Sequence, residues 1–84
     1  MEHVIVERVF AEPADLPELT RRFREGIRCF ELRNVSHLRT TVSRDGRRMI
    51  CEYTAPDAES VREANEATDL PYTHIWTALQ LPTP

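Results

Sequence analysis

Residues 38–54, LRTTVSRDGRRMICEYT, decide the fold of this 84-residue chain. Asp45-Gly46 near the centre is a strong hairpin signal, because glycine readily adopts the positive φ that tight turns need. Before the turn, apolar and polar residues alternate over residues 30–43, with a bend expected near Asn34. After it, residues 48–54 are rich in strand-forming types. The stretch therefore predicts two antiparallel strands joined by a tight turn.

A strand and then a helix are predicted on the amino-terminal side of this hairpin. Residues 4–10 are β-branched and aromatic, which suits a strand. Asp15, with Glu18 three residues later, resembles a capping box at a helix start. A helical spacing then relates four apolar residues, Leu16, Leu19, Phe23 and Ile27.

A second helix and a last strand are predicted on the carboxyl-terminal side. Asp57 can cap the helix, and Val61, Ala64 and Ala67 line one face of it. Residues 73–81 are predicted to form the last strand. The order strand-helix-strand-strand-helix-strand predicts an α+β fold, the ferredoxin-like βαββαβ sandwich. We expect one domain over residues 1–84, with a four-stranded antiparallel sheet and both helices on one face.

The period of two along each strand sorts side chains between the helix side and the opposite side of the sheet. The helix side is predicted to receive Val6, Phe10, Leu38, Val42, Ile75 and Leu79. The opposite side is predicted to receive Ile5, Glu7, Val9, His37, Arg39, Thr41, His74, Trp76 and Ala78. The third strand is ambiguous: apolarity favours Met49, Cys51 and Tyr53 on the helices, which puts Glu52 on the opposite side.

That opposite side is too apolar to be fully exposed to solvent and too polar to form a dry hydrophobic core. Large exposed apolar patches are seldom left uncovered. We therefore expect a homodimer formed back to back, a dimeric α/β barrel with a polar-lined cavity of the kind that holds small ligands.

Composition narrows the function classes. The net charge of −3 argues against a nucleic-acid binder. No apolar run is long enough for a membrane span, and the start lacks the regions of a signal peptide, so we expect a cytoplasmic protein. Cys29 and Cys51 match no zinc-finger spacing and are expected to be free thiols.

Several stretches resemble a family of small bacterial proteins long known only as a domain of unknown function. They are residues 6–10, VERVF, residues 51–65, CEYTAPDAESVREAN, residues 69–72, DLPY, and residues 75–78, IWTA. The family includes a nickel-responsive, nickel-binding actinobacterial member. The resemblance covers nearly the whole chain and implies a ferredoxin-like fold paired into a dimeric α/β barrel, with metal binding.

One departure from the family pattern is at Thr54, where the family commonly has Glu, so any role of that Glu is absent from this chain. The nickel ligands of the characterised member are not carried over to this sequence. The candidate residues below therefore rest on residue types and predicted facing.

His37 and His74 are the metal-ligand candidates, because neutral imidazole binds first-row transition metals such as nickel. They lie on the two predicted edge strands, which a barrel dimer can bring together; the alternative is a structural or surface role. We leave His3, near the terminus, out of the candidate set.

Glu7 stands in an apolar strand, where burial would make it a usable general base or metal ligand. Its alternative role is a salt bridge, for example with Arg39. Tyr53 is the second catalytic candidate, while Arg39, Cys51 and Trp76 are the ligand-binding candidates. Packing inside the domain is the alternative for Cys51, Tyr53 and Trp76.

Three hypotheses remain open. The first is a homodimeric barrel that binds a divalent metal, nickel or another transition metal, or a small molecule in the cavity between the sheets. The second is a small cofactor-independent enzyme, such as a cyclase, isomerase or monooxygenase, acting on an aromatic or polyketide-like substrate with Glu7 as base. The third is an interaction module whose uncovered sheet face serves only to dimerise.

Overall fold

The computed structural model describes residues 1–83, and Pro84, the last residue of the predicted domain, lies outside the described residues. The elements in chain order are β1 (Glu2–Val9), α1 (Leu16–Glu25), α2 (Ile27–Glu31), β2 (Ser36–Val42), β3 (Arg48–Ala55), α3 (Ala58–Ala67) and β4 (His74–Ala78). The strands form one antiparallel sheet in the order β2-β3-β1-β4. This arrangement confirms the predicted α+β, ferredoxin-like fold.

The turn between β2 and β3 forms where the sequence predicts it. Gly46 has a φ of 75°, and its N–H donates to the carbonyl oxygen of Ser43 at 2.9 Å. The Asp45 carboxylate accepts hydrogen bonds from the Ser43 hydroxyl at 2.7 Å and from the Arg47 N–H at 3.0 Å. These two donors lower the pKa of Asp45, because they stabilise its charged form.

The first predicted helix is two helices in the structure, α1 and α2, so residues 1–83 contain three helices and not two. The break is at Gly26, which ends α1 and precedes α2. A Cβ atom at this position would lie 2.1 Å from Cγ2 of Thr68, the residue that ends α3. The chain therefore passes too close to the end of α3 for any residue but glycine, and glycine is a poor helix former.

The second strand begins later than predicted, at Ser36, because residues 30–35 do not continue the alternation. Phe30 is in α2 and only 1% exposed, whereas Leu32 is 72% exposed. Asn34 then adopts a left-handed φ of 58°, a conformation that commonly terminates helices. The last strand is also shorter than predicted and ends at Ala78.

Both predicted helix caps are present. The Asp15 carboxylate accepts a hydrogen bond from the Glu18 N–H at 3.1 Å, and the Asp57 carboxylate accepts one from the Ser60 N–H at 2.7 Å. Each cap satisfies an amide that has no partner within its own helix.

The helices cover one face of the sheet. The core there combines Val4, Val6, Met49, Cys51, Tyr53 and Ala55 from the strands with Phe30, Val61 and Ala64 from the helices. This confirms the helix-side position of Cys51 and Tyr53, and the predicted positions of Val6, Phe10, Val42 and Ile75. Glu52 then lies on the opposite face, as predicted.

Three predicted facings are wrong. An irregularity in the β2–β3 register falls between His37 and Arg39, so that His37 is opposite Tyr53 while Arg39 is opposite Glu52. Such a bulge inserts an extra residue and reverses the alternation. His37 therefore lies on the helix side, and Leu38, in the bulge, is 44% exposed. Leu79 follows the end of β4 and is 90% exposed.

Candidate functional site

The helix-free face is the sheet surface on which no helix packs. It consists of His3, Ile5, Glu7 and Val9 on β1, Arg39 and Thr41 on β2, Ile50 and Glu52 on β3, and His74, Trp76 and Ala78 on β4. Val9, Ile50 and Trp76 are exposed by 57%, 39% and 46%. The face thus presents exposed apolar side chains around two imidazoles and two carboxylates.

Glu7 is next to two residues of β4, His74 and Trp76. The antiparallel register places it directly opposite His74. Its Oε2 also accepts a hydrogen bond from the Trp76 indole N–H at 2.9 Å. Directly opposed residues on one face have Cβ atoms roughly 4.5–5.5 Å apart, so an ion could be shared by the Glu7 carboxylate and the His74 imidazole.

Glu52 is the centre of a second polar group on the same face. Its Oε1 lies 3.0 Å from Nε2 of His3, and its Oε2 lies 3.0 Å from Nε of Arg39. A salt bridge between Arg39 and Glu7 was the alternative role considered for Glu7, but the register places Arg39 opposite Glu52. Glu7 is therefore left with the Trp76 N–H as its hydrogen-bond donor and His74 as its neighbour.

The two predicted metal ligands, His37 and His74, do not lie together within one chain. They are on the outer strands β2 and β4, and the bulge turns His37 to the helix side. Among residues 1–83, no group of three or more His, Cys, Asp or Glu side chains could hold a metal ion. On the helix-free face, the structure places Glu7 next to His74 and Glu52 next to His3.

The predicted site residues on the helix side form a separate cluster. The His37 Nε2 and the Thr40 hydroxyl lie 2.7 Å apart, and that hydroxyl lies 3.3 Å from the Cys51 sulfur. Partial burial lowers the pKa of His37, because it disfavours the imidazolium. Burial also raises the pKa of Tyr53, which is 1% exposed.

Glu7 and Tyr53, the two predicted catalytic residues, therefore lie on opposite faces of the sheet. Neither can reach a substrate bound at the other, so they do not form one acid–base site. The enzyme alternative is not favoured by this arrangement.

Two residues that make polar contacts on opposite sides of the sheet were not among the predicted site residues. His3 contacts Glu52, and its side chain is only 15% exposed. Arg8 is 3% exposed and lies on the helix side with Val4 and Val6. The alternation along β1 could have placed both residues. His3 is on the same face as Glu7, and Arg8 is on the same face as Val6.

The fold and its helix-free face define a class: small ferredoxin-like α+β proteins with one sheet face open and lined by polar and apolar side chains. Residues 5–77 match the family model described as nickel responsive protein SCO4226-like, and the chain belongs to this family.

A solved structure supports the same fold. The crystal structure of SCO4226 from Streptomyces coelicolor A3(2) matches with a TM-score of 0.80, covering 95% of this chain and 99% of that chain. The sequence identity is 14%, so this likeness establishes the fold alone. No curated protein sequence matches the chain. Within residues 1–83, no helix has the length and apolarity needed to span a membrane.

Proposed function

We propose that the protein is a cytoplasmic homodimer that holds a divalent transition metal, with nickel the first candidate, between the helix-free faces of its two subunits. The observation that carries this proposal is the placement of the Glu7–His74 and Glu52–His3 pairs on the helix-free face, beside exposed apolar side chains. Family membership supports nickel over other metals, because the family is described as nickel responsive.

The apolar part of the face supports a second copy of the chain as its partner. Ile50, on the inner strand β3, and Trp76, on the edge strand β4, are 39% and 46% exposed. A chain of 84 residues buries a limited fraction of its surface, so covering this face would add to a modest core. A twofold dimer is the simplest arrangement, since the same patch then meets itself.

The polar part of the face supports a metal site that needs both subunits. One chain supplies two candidate ligands in each pair and no group of three among the residues described. Twofold pairing doubles each set, so that two imidazoles and two carboxylates can converge. This mixture of nitrogen and oxygen ligands suits nickel and neighbouring divalent metals.

Calorimetric titration of metal-free protein with nickel tests the proposal. We expect saturable binding that is lost or strongly weakened in His74→Ala and in Glu7→Gln. His37→Ala is the matched control, because it removes an imidazole from the helix side. Glu63→Gln, on the exposed part of α3, is the control for the carboxylate.

Unchanged nickel binding in both His74→Ala and Glu7→Gln would exclude this site. Loss of binding in His37→Ala alone would place the metal on the other side of the sheet. Sedimentation of the same samples reports whether each variant remains paired, so a lost ligand can be distinguished from a lost dimer.

A further inference from the structure

A cavity of about 300 Å³ lies between α1 and the helix side of the sheet, away from the helix-free face. Helix α1 has no fully buried residue, although Leu19 and Phe23 pack against the core. It therefore closes only partly onto the sheet. Its wall of the cavity is formed by Leu16, Leu19, Thr20 and Phe23, and Met49 and Tyr53 face them from the sheet. The volume is at the lower end of the range of roughly 300–1,000 Å³ for small-molecule sites.

Arg8 also lines this cavity, and within residues 1–83 it is the charged residue that is buried. Its Nη2 donates to the Asn65 amide oxygen at 2.7 Å and to the Tyr53 hydroxyl at 3.3 Å. Its Nη1 donates to the carbonyl oxygen of Pro71 at 2.7 Å. All three acceptors are neutral, so these hydrogen bonds bring no negative charge to the guanidinium.

No carboxylate of the described residues lies within 4.0 Å of the Arg8 guanidinium, although Arg21, Arg22, Arg39 and Arg62 all have one. Burying a cation without a counter-charge is unfavourable unless something compensates it. An anion in the adjoining cavity would provide that compensation. The hydrogen bonds to Asn65 and Pro71 hold the guanidinium in a fixed position at the cavity wall.

We propose that this cavity binds a small amphipathic carboxylate, with its carboxylate against Arg8 and its apolar body between α1 and the sheet. Apolar walls with one fixed charged group are the usual composition of a selective small-molecule site. The ligand would occupy the space between α1 and the sheet. This site is independent of the proposed metal site, because the two lie on opposite faces of the sheet.

The test is a titration of ¹⁵N-labelled protein with octanoate, followed by amide chemical shifts, in parallel with 1-octanol as the neutral molecule of equal length. We expect one octanoate to bind per chain and to shift the amide signals of residues around the cavity. Octanoate should bind about tenfold more tightly than octanol, because a hydrogen bond to a charged group strengthens binding by about that factor.

Thr20→Phe should fill the cavity and abolish octanoate binding without touching Arg8. Arg24→Phe is the matched control, since it adds the same side chain to α1 at an exposed position outside the cavity. Arg8→Met should remove the preference for octanoate over octanol. If Arg8→Met does not fold, the Thr20→Phe and Arg24→Phe pair still decides the question.

The proposal is overturned if octanoate fails to saturate, if octanol binds as tightly, or if Thr20→Phe leaves binding unchanged. A nickel titration of Thr20→Phe separates this outcome from failure of the proposed function, because filling the cavity should leave nickel binding unaltered.

Discussion

Glu7 and His74 occupy directly opposed positions on β1 and β4, on the sheet face that carries no helix. The Glu7 carboxylate is also fixed by the Trp76 indole N–H. One acidic and one imidazole side chain are thereby presented side by side among exposed apolar neighbours. In the proposed dimer, the second chain would supply the further carboxylate and imidazole ligands that a metal ion needs.

Placing a charge at the centre of the helix-free face should separate the subunits of the proposed dimer. Ile50 is 39% exposed in the single chain and would be covered in the dimer. In Ile50→Glu, we expect sedimentation velocity to give a mass near 9.8 kDa, the mass of one chain, instead of twice that value. Leu32→Glu, at an exposed residue beyond α2, should leave the pairing intact. A dimer that persists in Ile50→Glu would mean that the subunits pair through another surface.

Replacing Gly26 by Ala should destabilise the domain by about 1–3 kcal/mol, the usual effect of forcing a methyl group into a packed site. The added Cβ would lie 2.1 Å from Cγ2 and 2.9 Å from Cβ of Thr68. Urea unfolding measures the change. Thr68→Ser removes the Cγ2 methyl and keeps the hydroxyl that donates to the Ala64 carbonyl, so the double variant should recover part of the loss. No recovery would show that Gly26 is required for another reason.

Alkaline pH should destabilise the protein through Tyr53. Burial raises the pKa of this phenol above its value of 10.0 in the unfolded chain. Its contribution to stability is therefore fully present below about pH 10 and is lost as pH rises toward the folded pKa. Arg8, Cys51 and His37 face the phenol, and the Arg8 cation opposes the increase.

Tyr53→Phe should remove this part of the alkaline dependence. At pH 7 we expect it to lower the free energy of unfolding by about 1 kcal/mol, because the hydroxyl accepts a hydrogen bond from Arg8. The difference from the unsubstituted protein should shrink above pH 10. Tyr72→Phe is the control, since the Tyr72 hydroxyl is hydrogen-bonded to Glu66 at the surface. An equal difference at pH 7 and pH 11 would argue against a buried, neutral phenol.

Acid should weaken the amino-terminal cap of α3. Hydrogen bonds from Ser60 lower the pKa of Asp57 below 3.8, so the charged form is favoured in the folded state. The resulting stability is present above pH 3.8 and is lost as pH falls through the folded pKa. Asp57→Ala should lower the melting temperature by a few degrees at pH 7 and by less at pH 2. Asp57→Asn keeps a capping oxygen without titrating, so it should show no such pH dependence.

Local sequence signals predicted the fold well. The turn at Gly46, the caps at Asp15 and Asp57, and the alternation along β1 and β3 depend on neighbouring residues alone. Glycine is a local signal for a helix end, but the sequence analysis continued one helix through Gly26. The requirement for glycine at this position comes from contact with Thr68, more than forty residues later in the chain, which local sequence does not reveal.

The candidate site was only partly predictable for a related reason. Parity along an unbroken strand correctly placed Glu7, His74 and Trp76 on one face. A single inserted residue in β2 reversed His37, and no property of the local sequence marks that bulge. The partner of Arg39 depended on the register between strands, which parity does not determine.

A crystal structure of the nickel-loaded protein, with anomalous diffraction recorded at the nickel edge, would locate the metal. We predict an anomalous peak between two paired helix-free faces, with Glu7 and His74 among the ligands. A peak at His37 on the helix side, or nickel bound by a single unpaired chain, would contradict it.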